Sequence, residues 1–219
     1  MSLKTAVIAG TVADTQMGAD WLRERDPSLE IHDYNVSATP DEQHLFQYGD
    51  ISVRTARMTE IFRNAEEQGI RNFFIYCNSL SGSFDFESFC RNRGDRVATP
   101  LMVYRGLAAR YRRIALLAAN TQSAFRIDEI MHRENPQIDV IGLGMLELVR
   151  AVENRMPPQE IMERYRMAEL MQFLEASGAE GIILGCTHFP WFRKELSELT
   201  RLPLIDPAER MYELLFREN

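Results

Sequence analysis

The chain has little cysteine, no long apolar run and a deficit of positive charge, and each shortage excludes a class of protein. Three cysteines in 219 residues, with no Cys-x-x-Cys and no His-Glu-x-x-His spacing, argue against a disulfide framework and against a metal site. Free thiols of this kind belong in a reducing cytoplasm, where they persist and can do chemistry. The longest apolar runs, such as Ile114 to Ala119, fall far short of the roughly 20 residues a membrane-spanning helix needs. Met1-Ser2-Leu3-Lys4 leads straight into a strand-like stretch, without the parts of a signal peptide, so a cytoplasmic location is expected. Basic residues number 25 against 32 acidic ones, for a formal charge of -7. Such a surface repels a phosphate backbone, and no nucleic-acid partner is expected. Gly10 and Gly18 lack the compact G-x-G-x-x-G spacing, and no Gly-Lys-Ser/Thr follows, so no nucleotide cofactor is expected.

What remains is 45% hydrophobic and 26% charged, an ordinary composition for one sizeable core or two small ones. The chain is written twice. Lys4 to Ala9 (K-T-A-V-I-A) and Arg113 to Ala118 (R-I-A-L-L-A) lie 109 positions apart. The same offset carries Ile31-His32-Asp33-Tyr34 onto Val140-Ile141-Gly142-Leu143, and Glu66 and Gly69 onto Glu175 and Gly178. It also carries Phe73 to Cys77 onto Ile182 to Cys186. Short apolar strands alternating with helices predict parallel sheets covered on both faces, one in each half. The first half is expected to hold strands near 3–9, 30–34 and 72–76. Its helix over 51–68 should bury Val53, Ala56, Ile61 and Ala65 and end at Gly69. The other half should hold strands near 113–118, 138–143 and 181–184 and one long helix over 158–176. A link near 94–100 divides them, giving domains over 1–96 and 97–207. A further short strand over 203–206 precedes a last helix over 208–217, which can return to the first half.

Ligands of open parallel sheets bind at the carboxyl ends of the strands, where Cys77 and Cys186 occupy equivalent places. If a pseudo-two-fold axis relates the halves, the two thiols can face each other across a cleft and serve as acid and base on one carbon. The polar residues that follow, Asn78 and Ser79 in one half and Thr187 and His188 in the other, read as helix entries whose N–H groups can hold a carboxylate. His188 either tunes the Cys186 thiolate or is a plain loop histidine. Asp14 either receives the substrate ammonium, with Thr15 beside it, or caps the helix after the first strand. Asn120, Thr121 and Ser123 repeat that neighbourhood in the second half, as carboxylate donors or as a simple N-cap. Cys90 has no counterpart, since Leu199 stands at its equivalent, and is read as core.

Cys77-Asn78-Ser79 and Leu184-Gly185-Cys186-Thr187-His188, followed by Phe189-Pro190, resemble the paired cysteine signatures of the aspartate/glutamate racemase superfamily. The Cys186 motif is similar to that of its glutamate-racemase branch, while the Cys77 motif has Ser79 where threonine is usual. Asp14-Thr15-Gln16-Met17-Gly18 resembles that branch's Asp-Ser-Gly-x-Gly segment, with Gln16 replacing a glycine, and Asp206-Pro207-Ala208 a late Asp-containing one. The resemblance implies two flavodoxin-like α/β halves with the active site between them. It implies a racemase of a small acidic amino acid that needs no pyridoxal phosphate or metal, often as a homodimer. Asp14 would take the carboxylate role and Thr15 the substrate-hydroxyl role, while Cys77 would take the proton from the D enantiomer and Cys186 from the L. Within the same superfamily stand hydantoin racemases, maleate cis-trans isomerases and arylmalonate decarboxylases, the last needing only one thiol. A non-catalytic acidic-ligand-binding protein is the reading from outside enzymology.

Overall fold

The structure is a computed structural model and describes residues 2–217. It divides into two compact units, one running to Pro100 and resuming at Ala208, the other spanning Leu101–Pro207. Each is built on its own sheet.

The first unit contains β1 (Lys4–Ala9), α1 (Val12–Arg25), β2 (Glu30–Asn35), α2 (Pro40–Tyr48), α3 (Ile51–Glu67) and β3 (Asn72–Ile75). The short helices α4 (Asn78–Ser83) and α5 (Phe86–Arg91) then lead to β4 (Arg96–Ala98). The second unit takes up the chain with α6 (Pro100–Ala108), β5 (Arg113–Ala118), α7 (Thr121–Glu134), β6 (Asp139–Gly144) and α8 (Leu146–Glu153). It continues with α9 (Pro158–Arg164), α10 (Met167–Ala176), β7 (Ile182–Gly185), a 3-10 turn (Phe189–Phe192), α11 (Arg193–Glu198) and β8 (Leu204–Ile205). The last helix, α12 (Ala208–Phe216), belongs to the first unit. Both sheets are parallel, ordered β2-β1-β3-β4 and β6-β5-β7-β8, the flavodoxin-like arrangement. Among the described residues no helix is long and apolar enough to cross a membrane.

The repeat read in the sequence is a repeat of register. Ala6 pairs with Phe73, and Ala115 with Ile182, each pair 109 positions from the other. Lys4 pairs with Glu30 as Arg113 does with Asp139. Helices α1 and α7 begin and end at equivalent residues, and their N-caps, Thr11 and Asn120, are equivalent too. Gly69 and Gly178 both stand at φ +77 just past a helix end. In both cases the next residue's N–H reaches back five positions, Ile70 to the Ala65 carbonyl and Ala179 to that of Leu174. The offset slips by two only at the last pairing, Phe73 with Val97 against Ile182 with Leu204.

Strand alternation sorts the cores. In β5, Ala115 and Leu117 pack with α8, α10 and the 3-10 turn, while Ile114 and Leu116 face Tyr104, Ile127 and Met131. In β3, Phe73 stacks on Phe62 of α3, and Phe74 on the opposite face stacks on Trp21 of α1. On that second face, α12 is held by Arg25 forked onto Glu209 and by the Tyr212 hydroxyl donating to Asp26 at 2.9 Å.

One contact differs between the repeats in an orderly way. Gly18 of α1 lies so close to Tyr76 that a Cβ there would come within 2.6 Å of the ring. Their equivalents in the second unit are Ile127 and Gly185, and there a Cβ on Gly185 would meet Leu116 at 2.6 Å and Ile127 at 3.3 Å. Helix and strand have exchanged large and small.

Three expectations are corrected. The segment over 94–100 is not a bare link, since it contains β4, whose three residues are too few to show a period. The helix over 158–176 is broken, with Arg166 left-handed at φ 53 between α9 and α10. Ile161 and Met167 are six residues apart and would point to different sides of one helix, and the break turns both into the same core. In α3, Val53 and Ala56 are exposed, and Met58, Ile61, Phe62 and Ala65 form the buried face. At about 100° per residue Val53 and Ala56 lie about 130° and 170° round the helix from the centre of that face, so the period itself turns them away from the core.

Gly69→Ala and Gly178→Ala should each lower stability by about 1 kcal/mol, because an L side chain is strained at positive φ. Gly106, exposed within α6 with open space where a Cβ would stand, should give the opposite sign: Gly106→Ala should gain about 0.5–1 kcal/mol. Urea titrations of the three variants check both signs.

Candidate active site

At the carboxyl edge of the first sheet, β1 ends in Gly10-Thr11 and turns into α1. Thr11 caps the helix, and Asp14 answers it: the Asp14 N–H donates to Thr11 Oγ1, and the Thr11 N–H donates to Asp14 Oδ1 at 2.6 Å. The Gly10 N–H adds a bond to Asp14 Oδ2 at 3.3 Å. Asp14 is therefore a buried capping carboxylate, 2% exposed, with both oxygens held by backbone donors. Thr15 donates its hydroxyl proton to the Thr11 carbonyl at 2.6 Å, which leaves its oxygen to act as an acceptor.

β3 is buried throughout and carries the chain through Tyr76 to Cys77, the N-cap of α4. The Cys77 thiol lies 3.4 Å from the Ser79 hydroxyl, and Ser81 donates to the Cys77 carbonyl at 2.7 Å. Cys77, Asn78 and Ser79 are all buried.

In the second unit Asn120 caps α7, its Oδ1 accepting from the N–H and the hydroxyl of Ser123 at 2.9 Å each. The equivalent of the Thr11–Asp14 box has thus become a neutral amide–hydroxyl pair. Thr121 is exposed on the first turn of α7, whereas Ser123 is buried. Gly144 permits that turn, since a Cβ on it would overlap the Thr121 nitrogen. β7 delivers Cys186, buried like Thr187 and His188 after it. The chain then enters a 3-10 turn, not an α-helix, because Pro190 and the ring pair Phe189–Phe192 bend it tightly onto the core.

The Cys186 surroundings hold one residue that the sequence reading missed. His188 Nδ1 lies 3.5 Å from the Cys186 thiol, and its Nε2 lies 2.8 Å from Glu153 Oε1. A carboxylate only accepts, so it holds the proton on Nε2 and turns the Nδ1 lone pair towards the thiol. Passing the thiol proton to Nδ1 creates a thiolate–imidazolium pair with Glu153 behind it. Glu153 sits at the last position of α8, where the helix dipole opposes a negative charge. That misplaced charge is the signal the sequence offered. The third thiol has a different setting: burial pushes Cys90 up to about 12, with Asp95 adding to the rise.

The sequence profile of the Asp/Glu/hydantoin racemase family matches residues 8–214. The chain belongs to that family. A glutamate racemase of Shewanella baltica is 30% identical over 115 residues, 49% of this chain and 42% of that protein. The chain thus spans less than half the length of the curated glutamate racemases of this kind. Among solved structures, a glutamate racemase from Bacillus anthracis superposes with a TM-score of 0.73 at 15% identity, covering 95% of this chain and 78% of that one. An aspartate racemase from Picrophilus torridus gives 0.70 at 14% identity, with 98% and 93% covered. At such identities the likeness is one of fold.

Glu153→Gln should slow carbamidomethylation of Cys186 by about tenfold at neutral pH, because His188 loses the carboxylate that orients it towards the thiol. Cys77 should keep its wild-type rate and Cys90 should stay unreactive. Peptide mapping by mass spectrometry after timed exposure to iodoacetamide reads all three thiols at once.

Proposed function

We propose that the chain is a cofactor-independent racemase of a small acidic amino acid, glutamate or aspartate. One observation carries this reading: two sheets of the same order, with matching register at their central strands, each follow the third strand in chain order with a buried cysteine. A thiolate at one strand end removes the α proton, and the thiol at the other returns a proton to the opposite face of the carbon. The reading requires both strand ends to reach one α carbon. Family membership supports it, as do the relatives that act, by their names, as glutamate and aspartate racemases.

Each remaining residue has a role consistent with its bonding. The Asp14 oxygens are held by backbone N–H groups, which suits a fixed negative charge beside the substrate ammonium better than a mobile base. Thr15, limited to accepting, would accept a hydrogen bond from the same ammonium. Asn78, Ser79, Asn120, Thr121, Ser123 and Thr187 would surround the carboxylates. His188, backed by Glu153, would receive the Cys186 proton. On this reading the protein works in a reducing cytoplasm, as a homodimer.

Single enantiomers of glutamate and aspartate, together with a hydantoin and maleate, can be followed in deuterated water by NMR and polarimetry. Loss of rotation with α-deuterium incorporation in an acidic amino acid is the expected result. Exchange confined to the hydantoin, or conversion of maleate to fumarate, would move the assignment to another isomerase of the family. No exchange in any of them would end it.

Removal of one thiol should stop racemisation while leaving one half-reaction open. The equilibrium constant of a racemisation is one, so kcat/KM in the two directions must fall together and cannot report which base is lost. Elimination from a substrate with a β leaving group can, since it needs abstraction from one face only. Cys77→Ala should block elimination from the D enantiomer and Cys186→Ala from the L, with Cys90→Ala near wild type. Racemisation by either single variant within a few-fold of wild type would contradict the mechanism.

A further inference from the structure

Helix α2 is built inside out. Gln43 and Gln47, one turn apart, are 5% and 3% exposed, while Leu45 and Tyr48 stand 70% and 58% exposed. Ordinary burial would do the reverse, since placing an amide in the interior is costly unless it is bonded. The cost is visible at Gln43. Its Oε1 accepts from the Ser37 hydroxyl at 3.2 Å, but its Nε2 has no surface and, among the described residues, no hydrogen-bond partner. A buried amide nitrogen left open in this way points to a ligand.

Its location says which ligand. The Gln43 side chain lies against Gly10 at the end of β1, where a Cβ would come within 2.8 Å of its Cγ and Cδ. Gly10 has therefore given up its side chain to admit this amide. Ser37, the other contact, follows β2 and is tied to the Gly10 carbonyl by its N–H at 2.8 Å. α2 also packs on α4, the helix that follows Cys77, and Arg54 clamps the two by donating to the Gln47 and Ser83 carbonyls. The amide thus sits over the ends of β2 and β1, and the thiol over the end of β3. Neighbouring strands are about 4.8 Å apart, which puts roughly 5–10 Å between amide and thiol along the sheet edge. That span reaches from the thiol past the α carbon to the far carboxylate of a dicarboxylic acid.

We infer that Gln43 is a specificity residue of the Cys77 half-site, its amide N–H donating to the side-chain carboxylate of the substrate. This rests on the racemase reading above, and it names the group by which an acidic substrate is told from a neutral one.

The test compares wild type with Gln43→Met, similar in size without the amide, and with near-isosteric Gln43→Glu. α-Proton exchange is measured with each enantiomer of glutamate, aspartate and alanine, and binding of the four acidic compounds by calorimetry. Gln43→Met should raise KM for the acidic substrates about 10- to 100-fold, the loss expected for a hydrogen bond to a charged group. Its kcat should move less than threefold, and exchange of alanine should not change. Gln43→Glu should weaken acid binding further by like-charge repulsion. Unchanged KM and affinity in Gln43→Met, or tighter binding of acids by Gln43→Glu, would overturn the inference. Should wild type bind these acids without exchanging their α protons, the racemase reading fails alone and the calorimetric comparison still decides Gln43. Absence of acid binding in wild type overturns both.

Discussion

Everything at the carboxyl edges depends on the pairing of a six-residue strand with a four-residue neighbour in fixed parallel register. In the first sheet the pairing ends at Ile8 opposite Ile75, two residues before Cys77; in the second it runs one step further, to Ala118 opposite Gly185, directly before Cys186. A slip of one residue would turn every buried side chain of β3 to the other face and the thiol with it. The register is held from both sides, by Phe73 against α3 and Phe74 against α1, so the position of the thiol is a by-product of core packing.

The two edges share a backbone plan and differ in chemistry. One has a charged cap, Asp14, and a thiol beside a hydroxyl; the other has a neutral cap, Asn120, and a thiol beside an imidazole with a carboxylate behind it. The acidic partner has moved from the first strand's loop to the end of α8. A pair of bases that must work in both directions need not be chemically alike, provided each can hold a proton when its turn comes. Duplication supplied the geometry, and substitution at a few loop positions supplied the difference.

The doubled fold was legible because the marks that carry it are local. Continuous apolar strands, Gly69 and Gly178, and the polar residues at strand ends each need only their neighbours to be read. The face of α3 obeys the same local rule, since the period through Ile61 and Ala65 places Val53 and Ala56 on the opposite side. What escaped has a non-local cause. Glu153 stands 35 positions before His188, and only folding joins them. In α2 the apolar Leu45 and Tyr48 stand exposed while Gln43 and Gln47 are buried. There, as at Glu153, the demand comes from a distant partner.

The exchange of bulk between Gly18 with Tyr76 and Ile127 with Gly185 bears on how such a chain can be cut and rejoined. Each slot beneath a thiol-bearing strand is filled once, from the helix or from the strand. A chimera joined between helix and strand would put Ile127 and Tyr76 into one slot, or leave two glycines facing a void. Neither residue of a pair can be traded alone without crowding or emptying its slot. Helix and strand therefore have to travel together in any such exchange. The two halves have become separate lineages inside one polypeptide, each with its own compatible set of parts.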